Sequence, residues 1–142
     1  MKVRELMSDQ VVSVNTAESA AVAARLLSRN NVGCLPVCDQ EGGLRGMITD
    51  RDIVLRCVAA SADPNRTPVG AIMTSRVLAV SPDDEAQKAS QIMAREQVRR
   101  LPVAEQGKVV GMISLADIAE TQQYAMEAAA CLSEICGNIK KR

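Results

Sequence analysis

Shifted by 66 residues against itself, the chain repeats its own pattern, and this internal copy constrains the fold more than any other feature. Met7 falls on Met73, Val11 on Val77, Val14 on Val80, Ala20 on Ala86, Ala23 on Ala89, and Leu35-Pro36-Val37 on Leu101-Pro102-Val103. After a contraction of one residue the shift is 65, so that Gly46-Met47-Ile48 meets Gly111-Met112-Ile113 and Asp52-Ile53 meets Asp117-Ile118. The contraction lies between Cys38 and Gly46, where Gly42-Gly43 faces a lone Gly107. Turns are where such length changes are tolerated.

Each copy carries the same order of local signals. A β-rich stretch (Val11 to Val14, or Val77 to Val80) leads to Thr16 or Ser81, and a segment of helical period follows, with Ala20, Ala23, Ala24 and Leu27 on one face in the first copy. In the second copy Ser81-Pro82-Asp83-Asp84 predicts a helix start, with Ser at the N-cap, Pro in the first position and an acid at the third. The stretches Val32 to Cys38 and Leu44 to Ile48, and in the second copy Val98 to Val103 and Val109 to Ile113, are expected to form hairpins, because their loops are too short for a parallel crossover. A further helix follows directly. Each copy is thus β-α-β-β-α. About 60 residues with one small sheet hold too little core to stand alone, so the expected fold is one α/β domain in which two repeats pack sheet to sheet with pseudo-twofold symmetry.

Composition removes several classes of function. Apolar residues make up 47% and charged residues 24%, enough for a packed core, and 17 basic residues balance 17 acidic ones, so no general attraction to nucleic acid or an anionic membrane exists. With no His, a Ser-His-Asp triad and imidazole metal sites are excluded. With no Trp or Phe and only Tyr124, an aromatic platform for single-stranded nucleic acid is excluded too. No apolar run is long enough to span a membrane and the first ten residues carry no export signal, which predicts a cytoplasmic protein. The odd count of cysteines, at 34, 38, 57, 131 and 136, fits reduced thiols acting as small hydrophobes. Cys34 and Cys38, about 13 Å apart along a regular strand, cannot share a metal unless the strand breaks at Pro36.

The chemistry lies in a repeated Gly-h-h-Ser/Thr-x-x-Asp, at Gly46 to Asp52 and Gly111 to Asp117, where h is apolar. One reading is structural: Thr49 or Ser114 caps a helix, and Asp52 or Asp117 returns the hydrogen bond. The other is a small anion and diol site, in which a helix N-terminus offers N–H groups to phosphate and a carboxylate accepts from both hydroxyls of a ribose. The two are compatible.

Taken together, Leu6-Met7 and Ile72-Met73, Val32-Gly33-Cys34-Leu35-Pro36-Val37 and Val98-Arg99-Arg100-Leu101-Pro102-Val103, and GMITDRD (46–52) and GMISLAD (111–117) make the sequence resemble a tandem pair of CBS domains, a Bateman module, over residues 1 to about 123. The resemblance implies a regulatory module rather than an enzyme. It would bind AMP, ADP, ATP or a related adenosyl ligand (S-adenosylmethionine or the nicotinamide dinucleotide NAD) in two clefts between the repeats, and it would form a homodimer. It further implies that Asp52 and Asp117 hold ribose hydroxyls and that Thr49 and Ser114 lie near sugar or phosphate. Thr16 and Ser81 would be the hydroxyls at the start of a helix, and the base would be flanked by residues around Val32 to Pro36 and Val98 to Pro102. Arg51, Arg99 and Arg100 are the candidates for phosphate. Because Asp50-Arg51 becomes Leu115-Ala116 in the second copy, the Asp52 site is expected to be the stronger. An effector protein acted on in trans is a further implied partner. The alternative is a scaffold for interaction or dimerisation that has lost its ligand.

The repeats divide the chain at residues 1–66, including the start of a linker whose clearest stretch is Ser61 to Pro68, and 67–123, with a helical extension over 124–142. In that extension Ala125, Ala128 or Ala129, Leu132 and Ile135 or Cys136 recur at helical spacing, and Gly137-Asn138 predicts its stop. The stripe has no obvious target within two repeats, so it is expected to help cover a dimer surface.

Overall fold

The computed structural model describes residues 1–121 and 125–140. The elements run α1 (Val3–Leu6), β1 (Val14–Asn15), α2 (Ala20–Asn30), β2 (Cys34–Cys38), β3 (Leu44–Thr49), α3 (Asp50–Ile53) continued by a π-helical turn (Val54–Val58), α4 (Val69–Ile72), α5 (Ala86–Glu96), β4 (Arg100–Glu105), β5 (Lys108–Ser114), α6 (Leu115–Ala119) and α7 (Ala125–Lys140). The order repeats as the 66/65 register requires. Both hairpins are antiparallel, β2 with β3 and β4 with β5, and each carries a register irregularity at the same place, Val37/Cys38 and Val103/Ala104. The second hairpin closes on Gln106 and Gly107, both with positive φ (54° and 79°), the backbone that a two-residue turn between twisted strands demands.

Two compact units emerge, and they are offset from the sequence repeats. One comprises Met1–Val11 with Ala79–Arg142; the other is Val12–Leu78. The opening segment of each copy therefore packs with the body of the other. The reason is visible at the helix N-termini. In the unit Val12–Leu78 the first two free N–H groups of α2, on Ala20 and Ala21, donate to Thr67 O (2.8 Å) and Pro64 O (2.9 Å), and the third, on Val22, to the Ser19 hydroxyl. In the other unit Ala86 N–H, the first of α5, donates to Met1 O (2.9 Å). Short bridges fix these partners, Ser19 with Pro68 and Lys2 with Glu85. Ser61 to Pro68 is thus a helix-capping segment as well as a connection.

The opening strands are shorter than the sequence predicts. β1 is only Val14–Asn15, parallel to Val37 and Cys38, and its counterpart is a single bridge between Val80 and Val103. Proline accounts for both. Pro36 gives β2 no N–H to donate, so pairing begins one residue later. Thr16 N–H donates to Cys38 O (3.0 Å), but its counterpart, Pro82, has no N–H, and the second ladder ends after Val80.

Neither Thr16 nor Ser81 is an N-cap. The caps are Ser19 and Glu85, and α5 begins five residues after Ser81. Ser81-Pro82-Asp83-Asp84 spends its capping chemistry on a turn: Ser81 N–H donates to Asp84 Oδ2 (2.8 Å) and Asp83 N–H to Ser81 Oγ (3.3 Å). Asn15 N–H to Glu18 Oε1 (2.9 Å) and Ala17 N–H to Asn15 Oδ1 (2.9 Å) repeat the pattern in the first copy. Ser81 is therefore the counterpart of Asn15, not of Thr16.

The core of the unit Val12–Leu78 gathers Val14, Ala20, Ala23, Leu27, Leu35, Val37, Ile48 and Cys57. β2 runs unbroken through Pro36, so Cys34 and Cys38 stay spread along one strand, neither of them in a disulfide. In the other unit α7 buries Ala128, Cys131 and Ile135 against α5 and α6, and the Cys131 thiol donates to Ser90 O at 3.5 Å. The tail therefore has a target within its own unit, which the sequence did not offer, while Leu132 and Cys136 of the expected stripe are exposed. Gly137-Asn138 does not stop the helix either. α7 continues to Lys140, since a helical glycine costs only about 1 kcal/mol and a glycine stop needs positive φ, which among the described glycines only Gly42 and Gly107 adopt. Tyr124, where the tail was expected to begin packing, lies outside the described residues. No helix among the described residues is long and apolar enough to cross a membrane.

Candidate functional site

The repeated Gly-h-h-Ser/Thr-x-x-Asp places each of its residues through backbone geometry. Gly46 lies where β3 meets the segment after α4: an added Cβ would sit 2.3 Å from Thr74 O. Met47 and Thr74 exchange backbone hydrogen bonds there (3.0 and 2.8 Å), and Ser8 and Met112 do the same in the other unit (2.8 and 2.9 Å). β3 then delivers Thr49 to the start of α3, and β5 delivers Ser114 to the start of α6.

Both junctions are reciprocal caps. Asp52 N–H donates to Thr49 Oγ1 (3.0 Å) and Thr49 N–H to Asp52 Oδ2 (3.0 Å); Asp117 N–H donates to Ser114 Oγ (3.0 Å) and Ser114 N–H to Asp117 Oδ2 (2.8 Å). Each cap engages one carboxylate oxygen, Oδ2, and leaves Oδ1 outside it. The structural reading of the motif is therefore realised in full, with one oxygen per carboxylate left for other work.

Around that oxygen the copies diverge. The Thr74 hydroxyl lies 3.3 Å from both oxygens of Asp52, and Arg56 Nε is 3.9 Å from Oδ1. Arg56 also donates through Nη1 to Ile72 O (3.2 Å) and Met73 O (3.0 Å), the last carbonyls of α4. The Asp52 side chain is 9% exposed. Asp117 is less deeply buried, and among the described residues its Oδ1 receives no hydrogen bond. The counterparts of Thr74 and Arg56 are Ser8 and Thr121, and neither side chain is bonded to Asp117. Sequence reasoning missed Thr74 and Arg56. Arg56 had a signal, an acid-base pair four residues apart on a helix; Thr74, 22 residues from Asp52, had none.

The anion reading of the first helix start does not survive. Asp50 N–H donates to Gly33 O (3.1 Å), Arg51 N–H to the Asp50 carboxylate (2.8 Å) and Asp52 N–H to Thr49, so the first three N–H groups of α3 are committed. The Arg51 side chain is exposed, as are Arg99 and Arg100. Arg99 O accepts from Leu115 N–H (2.8 Å), as Gly33 O does from Asp50. Pro36 and Pro102 are buried within β2 and β4, whereas Val32 and Val98 are half-buried just before those strands. Thr16 is half-buried, its N–H and carbonyl taken by Cys38 O and Gly70 N–H; Ser81 is half-buried within its turn. Thr16, Val32, Pro36, Thr49, Arg51 and Asp52 all belong to the unit Val12–Leu78, and the remaining candidates to the other. Among the described residues, no group of three or more Cys, Asp or Glu side chains is arranged to hold a metal ion.

Two short capped helices, each following an antiparallel hairpin and each carrying an aspartate at its third position, define a duplicated βα module. The CBS domain profile matches residues 3–58 and 69–123, and the chain belongs to the CBS domain family as a tandem pair. It is 39% identical over 133 residues to the CBS domain-containing protein YhcV of Bacillus subtilis (strain 168), covering 94% of each chain. Among solved structures it is similar to Hypoxic Response Protein I, crystallised with two coordinated zinc ions (34% identity, TM-score 0.80, 85% of this chain and 98% of that one). It is similar also to the CBS domain pair of protein MJ0100 in complex with 5′-methylthioadenosine and S-adenosyl-L-methionine (26% identity, TM-score 0.73, 84% and 98%). A CBS pair of this kind is a regulatory module.

Proposed function

We propose that the chain senses an adenosyl ligand, AMP, ADP, ATP, NAD or S-adenosylmethionine, and passes its occupancy to another protein without chemistry of its own. The observation that carries this reading is the twin placement of Asp52 and Asp117: each carboxylate is fixed by a cap through Oδ2, which orients Oδ1 as an acceptor for a ribose hydroxyl, at Asp52 in exchange for the Thr74 hydroxyl. The complex of the MJ0100 pair with two adenosyl compounds supports the ligand class. In this reading Thr49 and Ser114 orient the carboxylates, Arg51, Arg99 and Arg100 meet phosphate, and Val32, Pro36, Val98 and Pro102 flank the base. Thr16 and Ser81 add a hydroxyl to their respective sites.

A ligand that binds only the folded chain must raise its melting temperature. Thermal melts with each of AMP, ADP, ATP, NAD and S-adenosylmethionine test the proposal: at least one is expected to stabilise the protein, with the gain cut by Asp52→Asn or Asp117→Asn. If none does, the chain is a ligand-free scaffold. A homodimer is part of the same reading, on the exposed Val54, Leu55 and Val58 of the π-helical turn. Sedimentation equilibrium at micromolar concentration is expected to give twice the chain mass, and a monomer would remove that part.

A further inference from the structure

We infer that Asp52 is held by an internal strap, formed by the Thr74 hydroxyl and the Arg56 guanidinium, that a ribose must displace, so that the Asp117 carboxylate takes its ligand first. The inference rests on the adenosyl reading above and reverses the ranking that Arg51 suggested from the sequence.

A ribose diol is recognised best by a carboxylate that can accept two hydrogen bonds at once. At Asp52 the Thr49 N–H holds Oδ2, the Thr74 hydroxyl straddles both oxygens at 3.3 Å, and Arg56 stands 3.9 Å from Oδ1 while its other arm grips Ile72 O and Met73 O. Thr74 occupies the place a sugar hydroxyl would need, as an intramolecular competitor at high effective concentration. At Asp117 the cap is the same, but the 66/65 register sets Ser8 and Thr121 against Thr74 and Arg56, and among the described residues no side chain bonds its Oδ1. The strap also joins Asp52 to the end of α4 and to the Met47–Thr74 backbone pair, so its release would loosen residues 72–74. Arg56 and Thr74 thus set affinity without being required for it.

Calorimetric titration of the full chain with AMP and with S-adenosylmethionine tests this. The wild type is expected to bind in two steps differing roughly tenfold in affinity, about 1.4 kcal/mol. Asp117→Asn is expected to remove the tighter step, and Thr74→Val, isosteric at an exposed position, to tighten the weaker one several-fold. Loss of the tighter step in Asp52→Asn instead, or weaker binding in Thr74→Val, overturns the inference. Hydrogen exchange on the ligand-free chain judges the strap separately: the Met47 and Thr74 amides are expected to exchange faster in Thr74→Val and in Arg56→Ala. Unchanged exchange in both refutes the strap whatever binds. Absence of binding by either probe alongside faster exchange removes the adenosyl reading and the ranking, and leaves the strap standing.

Discussion

Replacing Gly46 by alanine measures how closely the segment after α4 is applied to β3. The new Cβ would lie 2.3 Å from Thr74 O, 3.1 Å from Ser75 Cα and 3.2 Å from Thr74 C, all backbone atoms that cannot swing aside. The clash is relieved only by moving residues 74 and 75 away, which breaks both Met47–Thr74 backbone hydrogen bonds. Overpacking of this kind costs about 1–3 kcal/mol and each lost hydrogen bond about 1 kcal/mol, giving roughly 3–5 kcal/mol in all. For a chain of this size that lowers the melting temperature by about 6–20 °C. Gly111→Ala is the matched comparison. Its Cβ meets Met7 Sδ at 2.7 Å and the backbone Ser8 O at 2.8 Å; the methionine can move aside and the carbonyl is less closely approached than Thr74 O is at Gly46, so a smaller loss is expected. Gly107→Ala meets nothing within 4 Å and carries only the strain of φ +79°, about 1–2 kcal/mol. Differential scanning calorimetry on the three variants gives the order. A Gly46→Ala protein that melts as the wild type does, or that loses less than Gly107→Ala, would refute the close approach.

Acid sensitivity follows from two depressed carboxyls. The Ser81 N–H holds Asp84 below the usual carboxylate range, and Lys2 with the terminal amine does so for Glu85. A lowered folded value means stability that is present above the unfolded value, near 4, and is lost as pH falls through the folded one. Asp84→Asn is therefore expected to flatten the loss of stability below about pH 4, read from urea midpoints across that window. Among the thiols, Cys136 is exposed while Cys38, Cys57 and Cys131 are buried, and burial pushes the Cys38 and Cys131 thiols up. Thiol labelling at pH 8 is expected to modify Cys136 first and to reach Cys38 and Cys131 only on unfolding; early labelling of Cys131 would contradict the packing of α7. Gly137→Ala, inside α7 with open space around its Cβ, is expected to stabilise by about 1 kcal/mol, and a destabilised variant would show that the helix ends there.

What the sequence disclosed was whatever depends on local period or on matched pairs of positions. The hairpins, the helix faces at Ala20, Ala23 and Leu27, and the caps at Thr49 and Ser114 all follow from residues within a few places of one another. What it concealed runs through the backbone over long separations. Met1 O and Thr67 O serve the N-termini of α5 and α2, and a carbonyl is the same in every residue, so no side-chain pattern announces the exchange of opening segments. The error at Ser81 had a legible remedy. The 66-residue register sets it on Asn15, and reading the register before the capping motif would have assigned a turn. Likewise Pro82 opposite Thr16 marks where the second parallel ladder fails.

The two copies agree where packing decides and differ where solvent or ligand would. Leu35, Val37 and Ile48 recur as Leu101, Val103 and Ile113, each buried, because a core tolerates little change in volume. The differences gather around the carboxylates. Asp50-Arg51 stands against Leu115-Ala116, Arg56 against Thr121 and Thr74 against Ser8. None of these positions alters the cap, whose hydrogen bonds stay within 2.8–3.0 Å in both copies. A duplicated fold can therefore keep one way of aiming an aspartate while giving the two aspartates unequal surroundings. In the first copy the side chains of Thr74 and Asp50 bond the carboxylate and an N–H group, and among the described residues the second copy has no equivalent bonds. Unequal occupancy is the expected consequence, and a module with two unequal sites responds over a wider range of ligand concentration than one with two equal sites.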